Sequence, residues 1–167
     1  AEWFYRILGV HGMSMLIFFI IFFEVAVLYF ASTVLLNARA CAPKTSWAAF
    51  GLMLVGAAIV EWMMWAGRAD VLFTSYVPLR ADPMYYLGVI LFAVGTLVAV
   101  VLFFVNVSVA KRESRYQGSL PLVVYGAVTA AIIAVITLLH GAAIYIPTYL
   151  WSLGLMDVDP EVYRLIW

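Results

Sequence analysis

Residues 7–36 read ILGVHGMSMLIFFIIFFEVAVLYFASTVLL, a run in which Glu24 is the one charged side chain. A bilayer core is crossed by about 20 apolar residues rising about 1.5 Å each. This run is longer than one crossing needs, so it is expected to tilt or to project from the membrane. Its apolarity is continuous, with none of the period-2 alternation of a membrane strand, and it reads as a helix.

Three further stretches have the same character: Trp47 to Trp65, Tyr85 to Val109 and Leu120 to Ile146. Between them lie Asn37 to Ser46, Ala66 to Met84 and Ala110 to Ser119, which hold most of the charges and several prolines and glycines. Composition agrees: 67% of the 167 residues are hydrophobic and 11% charged, with a mean hydropathy of +1.08. A soluble domain is less than half apolar and about a quarter charged. The expected fold is an all-α integral membrane protein of four transmembrane helices, one helical segment over 1–167 that forms part of a larger bundle. Zero net charge gives no bulk attraction to nucleic acid. The lone Cys41 excludes an internal disulfide and an all-cysteine metal site. No phosphate loop, nucleophile elbow, zinc spacing, dinucleotide fingerprint or internal repeat is present.

Basic residues give an orientation. The first and third loops carry Arg39, Lys44, Lys111, Arg112 and Arg115, against Arg6, Arg68, Arg80 and Arg164 on the opposite side. The shorter loops, denser in positive charge, are expected to be cytoplasmic, so both chain ends face outward. Val162 to Trp167 read as the approach to a fifth helix, and the chain is expected to be a fragment of a longer subunit. Trp47, Trp62, Trp65, Tyr85, Tyr86, Tyr149 and Trp151 lie near the span ends, as in an interfacial aromatic belt.

Ionisable groups at membrane depth point to function. His11 lies about one turn inside the outer end of the first span, between Gly9 and Gly12. Neutral imidazole is a common metal and haem-iron ligand, and the glycines would let a flat macrocycle approach the backbone. An interfacial histidine bonded to a carbonyl fits the spacing equally. His140 lies on the same side, so one haem clamped by His11 and His140 is conceivable. A histidine bonded across helices is the preferred reading of His140. Glu24 lies roughly 20 Å below His11 and points about 140° away from it on an ideal helix. Glu24 and Glu61 are each candidates for a proton path or for a buried polar partner.

The order His11-Gly12, Thr74-Ser75-Tyr76-Val77-Pro78-Leu79, Tyr86-Leu87-Gly88, Trp151-Ser152-Leu153-Gly154-Leu155 and Val158-Asp159-Pro160 resembles subunit I of the haem–copper oxidase superfamily, closest to the B-type cytochrome oxidases. Val77 stands where that subfamily has the first of two prolines. The resemblance covers nearly the whole chain, as the second to fifth helices of a longer subunit. It implies that His11 is an axial ligand of a low-spin haem, b-type, near the outer face. It also implies that the second ligand, the high-spin haem and the copper ligands lie beyond Trp167, so this chain alone is expected to turn over neither oxygen nor nitric oxide. His140 matches no family ligand. The loop from Asn37 to Ser46 has no aspartate, so the proton inlet of A-type oxidases is not there.

The implied activity is that of a respiratory terminal oxidase reducing oxygen to water. The implied partners are the remaining helices or other membrane subunits, lipid, and an electron donor: cytochrome c, a cupredoxin or a quinol. The implied location is a prokaryotic plasma membrane. A nitric oxide reductase of the same superfamily, a four-helix cytochrome b holding haem between His11 and His140, and a membrane subunit without cofactor are the alternatives.

The orientation is tested at Glu113. A cysteine placed there is expected to resist an impermeant thiol reagent added outside intact cells and to react after permeabilisation. Rapid labelling from outside would reverse the topology.

Overall fold

The computed structural model describes residues 2–113, 116 and 118–166, leaving Glu2 without a described side chain. Arg115, counted above in the orientation, lies outside the described residues, as does Trp167. The described residues form helices and no strand. Four consecutive segments, Glu2–Gly12, Met13–Phe19, Ile20–Tyr29 and Phe30–Val34, make one continuous helix, α1. The remaining helices are α2 (Pro43–Trp65), α3 (Pro83–Arg112), α4 (Leu122–Ser152) and the short α5 (Pro160–Ile166). Helices α1 to α4 are each long and apolar enough to cross a membrane.

Local chemistry sets the ends. Pro43 and Pro83 open α2 and α3, where a missing N–H is harmless and the fixed φ suits the helix. Asp82 caps α3, accepting from the Met84 N–H at 2.9 Å, and Lys111 and Arg112 face the negative end of its dipole. Three helices stop by the same left-handed turn. Asn37, Gly67 and Gly154 have φ of 47°, 69° and 74°. In each, the next residue's N–H reaches back to a carbonyl five residues earlier: Ala38 to Thr33, Arg68 to Met63 and Leu155 to Leu150. The fourth apolar run, expected to end at Ile146, continues as helix through Pro147 to Ser152.

Helix α1 departs from ideal geometry: Met13–Phe19 and Phe30–Val34 are π-helical. Wider turns take more residues, so the angle expected between His11 and Glu24 from 100° per residue does not hold.

Packing centres on α3. Its Gly88 and Gly95 face α2 so closely that a Cβ on Gly56 would stand 2.5 Å from the Gly88 carbonyl oxygen, and one on Gly95 2.6 Å from the Ala49 carbonyl. Missing side chains allow this approach, the usual means by which helices associate in lipid. One core cluster joins the amino-terminal halves of α1 and α3 to α2 around Met13, Met53, Val60 and Phe92. A second joins the carboxyl-terminal halves of α1 and α3 to the amino-terminal half of α4 around Leu28, Val100, Phe103 and Ala131. The amino-terminal end of α1, the α2–α3 loop and the carboxyl end of α4 meet at one end of the bundle. Arg6 pairs with Asp70 at 3.4 Å, Arg68 with Asp82, and Arg80 donates to the Ser152 carbonyl at 2.6 Å. The α1–α2 and α3–α4 loops occupy the other end.

Gly56→Ala is expected to push α2 from α3 and to destabilise the protein by about 1–3 kcal/mol. Gly51 and Gly126 have nothing within 4 Å of a built Cβ. Their alanine variants are expected to melt no lower than the parent in detergent, which separates a packing effect from a general loss of glycine.

Candidate functional site

His11 lies in the amino-terminal part of α1 on an exposed face shared with Phe4, Leu8, Met15 and Phe19. Its imidazole makes no hydrogen bond or ion pair among the described residues. A polar ring at the level of apolar neighbours, with both nitrogens unused, is suited to a ligand from outside this chain. The flanking glycines do not serve a macrocycle as expected. A Cβ on Gly12 would stand 2.8 Å from the Phe73 ring, and one on Gly9 3.1 Å from the Met64 methyl. Both glycines let α1 lie against α2 and the α2–α3 loop, because they fall on the packed face and His11 on the open one.

His140 is differently placed. One ring nitrogen, Nε2, lies 2.6 Å from the Ile166 carbonyl oxygen of α5. The amino-terminal part of α1 packs on α2, and α1 meets α4 chiefly through its carboxyl-terminal half. The arrangement does not favour one haem clamped between His11 and His140.

The two carboxylates also differ. Glu61 on α2 accepts a hydrogen bond from Ser14 Oγ at 2.6 Å, and that hydroxyl also lies 2.7 Å from the Val10 carbonyl. It joins α1 to α2 one turn below His11. Glu24 is half-buried and makes no hydrogen bond or ion pair among the described residues. Along α1 it lies between Ile21, which packs against the first core cluster, and Leu28 of the second.

A group of hydroxyls at the end of the bundle that holds the α2–α3 loop was not recognised from sequence. Tyr85 and Tyr86, expected in the aromatic belt, are fully buried. Tyr85 and Ser75 share a hydrogen bond of 2.7 Å, and Tyr86 Oη accepts from the Ala81 N–H at 3.2 Å. Tyrosine enters a core when its hydroxyl finds a partner, and the α2–α3 loop supplies both partners. Tyr163 of α5 bonds to Thr148 and donates to the Ile144 carbonyl, docking α5 on α4. Burial pushes its phenol above the ordinary range, and the bond to Thr148 partly offsets this. Trp47 and Trp62 are exposed, as a belt requires.

Among the described residues no three His, Cys, Asp or Glu side chains gather as a metal site.

The sequence matches the family model of cytochrome c and quinol oxidase polypeptide I over residues 1–167. It is 29% identical to cytochrome c oxidase subunit 1 of Thermus thermophilus, over 98% of this chain and 29% of that protein. The fold is similar to a solved haem–copper terminal oxidase dimer, with a TM-score of 0.83 and 31% identity, over 97% of this chain and 28% of that one. The chain thus spans under a third of the length of these relatives.

Ser14→Ala is expected to lower stability by about 1–3 kcal/mol, because Glu61 loses its partner away from water. The double variant Ser14→Ala with Glu61→Leu removes both polar groups and is expected to recover most of that loss. Thermal melts of the four members of this cycle check it.

Proposed function

The chain belongs to the cytochrome c and quinol oxidase polypeptide I family, and from that premise we propose that it is the low-spin-haem-bearing part of subunit I of a respiratory terminal oxidase, with His11 as an axial ligand. One observation carries the reading: the imidazole of His11 is unpartnered on an open apolar face, whereas His140 is bonded to the Ile166 carbonyl. When bound, a b-type haem supplies one-electron transfer between a donor, whether cytochrome c, a cupredoxin or a quinol, and a haem–copper centre elsewhere in the subunit that reduces oxygen to water.

The residues of this chain orient and insulate. His11 presents a neutral ring nitrogen. Phe4, Leu8, Met15 and Phe19 surround it with hydrocarbon, which excludes water and tunes potential through the local dielectric. The Ser14–Glu61 bond and the close seats of Gly9 and Gly12 fix the rotation of α1, and with it the direction of His11. Glu61, held by Ser14, acts as a buried polar partner. Glu24, half-buried and unpartnered, faces the remaining helices of the subunit as a proton-path or polar-contact group. Copper and the high-spin haem belong to those remaining helices. Both chain ends lie on the outer side of a prokaryotic plasma membrane, and the first and third loops lie in the cytoplasm.

The test is spectroscopic. His11→Ala in the assembled protein is expected to convert a six-coordinate low-spin iron to five-coordinate, or to release the haem. His140→Ala is expected to keep the low-spin band, with a stability loss of about 1–3 kcal/mol from the broken hydrogen bond. Equal loss of the band in both variants would favour a haem shared by the two histidines. Retention in both would remove haem from this chain.

A further inference from the structure

At the end of the bundle away from His11, a cavity of about 410 Å³ opens between α1 and α2. Val25 and Tyr29 form one wall, Trp47 and Phe50 the other, and Ala40 and Pro43 of the connecting loop frame the mouth. Its depth along α2, from Pro43 to Met53, is roughly 15 Å at helical rise. That is about half of a hydrocarbon core of roughly 30 Å, so the cavity has the depth of one leaflet. The groove has the length and the apolar lining to take a single hydrocarbon chain.

The mouth has chemistry of its own. Arg39 and Lys44, the sequence neighbours of Ala40 and Pro43, are both exposed, and neither makes an ion pair or hydrogen bond among the described residues. Residues 37–46 contain no acid. The arginines at the opposite end are engaged: Arg6, Arg68 and Arg164 with carboxylates, Arg80 with carbonyls. Just inside the mouth Tyr29 donates to Ser46 Oγ at 2.8 Å, placing two hydroxyls where apolar wall gives way to basic loop. Trp47 stands beside them, 72% exposed, as an interfacial anchor does. Hydrocarbon below, hydroxyls at the boundary and two free cations above match the layers of one anionic lipid.

We propose that this groove seats one acyl chain of an anionic glycerophospholipid whose phosphate is held by Arg39 and Lys44. The site is separate from His11 and stands whether or not His11 binds haem. Each basic side chain near a membrane surface strengthens anionic-lipid binding about fivefold, so the pair is worth about thirtyfold.

Native mass spectrometry of the assembled, delipidated protein tests this, with phosphatidylglycerol and phosphatidylcholine of matched acyl chains added back. Phosphatidylglycerol is expected to be retained preferentially. Arg39→Gln with Lys44→Gln should weaken its retention about thirtyfold and leave phosphatidylcholine unchanged. Ala26→Trp, which fills the groove, should reduce retention of both lipids. An unchanged haem spectrum in each variant verifies assembly separately. Equal retention of the two lipids by the parent, or undiminished phosphatidylglycerol in the double variant, would overturn the proposal. So would a photo-crosslinker at Trp47 that captures protein in place of lipid.

Discussion

The backbone contact between α2 and α3 is the constraint on which the rest of this bundle depends. Gly56 meets Gly88 and Phe92 with no room for a methyl group, and Gly95 meets Ala49 and Met53 in the same way. In lipid there is no water to drive apolar faces together, so dispersion between closely fitted surfaces has to hold helices in place. With α2 and α3 locked, α3 becomes the post against which α1 and α4 are packed through the two core clusters. Polar groups of the α2–α3 loop are then taken up by Tyr85, Tyr86 and Arg6.

That loop binds its end of the bundle together. Asp82 caps α3 and pairs with Arg68, and its N–H donates to the Arg68 carbonyl at 2.9 Å, so one residue closes both ends of the loop. Asp70 reaches α1 through Arg6, and Arg80 reaches the last turn of α4. His11 sits on α1 about one turn from Arg6, so the element that carries it is tethered close to that residue. The opposite end is held more lightly. There Asn106 accepts the Cys41 N–H at 2.9 Å and Tyr29 bonds to Ser46, leaving Arg39 and Lys44 unengaged.

The four spans were legible because continuous apolarity has one explanation in a chain of this composition. His11 was legible as a candidate because an imidazole is conspicuous among Leu8, Val10 and Met13. What the sequence concealed is geometric. Hydropathy cannot reveal a π turn in a helix that is apolar on every side, so the bearing of Glu24 relative to His11 was read from the wrong period. Gly9 and Gly12 were visible as small residues, but not which face they served, since Phe73 and Met64 come from elsewhere in the chain. Tyr85 and Tyr86 sit near a span end, where belt and core predict the same residue type. Only the hydroxyl partners Ser75 and Ala81 distinguish the two.

The π-helical stretch Met13–Phe19 has a mechanical meaning. A straight α-helix ties the rotational phase of its two ends together, so turning one end turns the other. A widened segment between them acts as a phase shifter. The amino-terminal part of α1 takes its bearing from Arg6, Gly9 and Gly12, and the carboxyl-terminal part from Leu28 and Ala31 within the second core cluster. One rod thereby serves two interfaces with an angular offset between them that a uniform α-helix of the same length would not give.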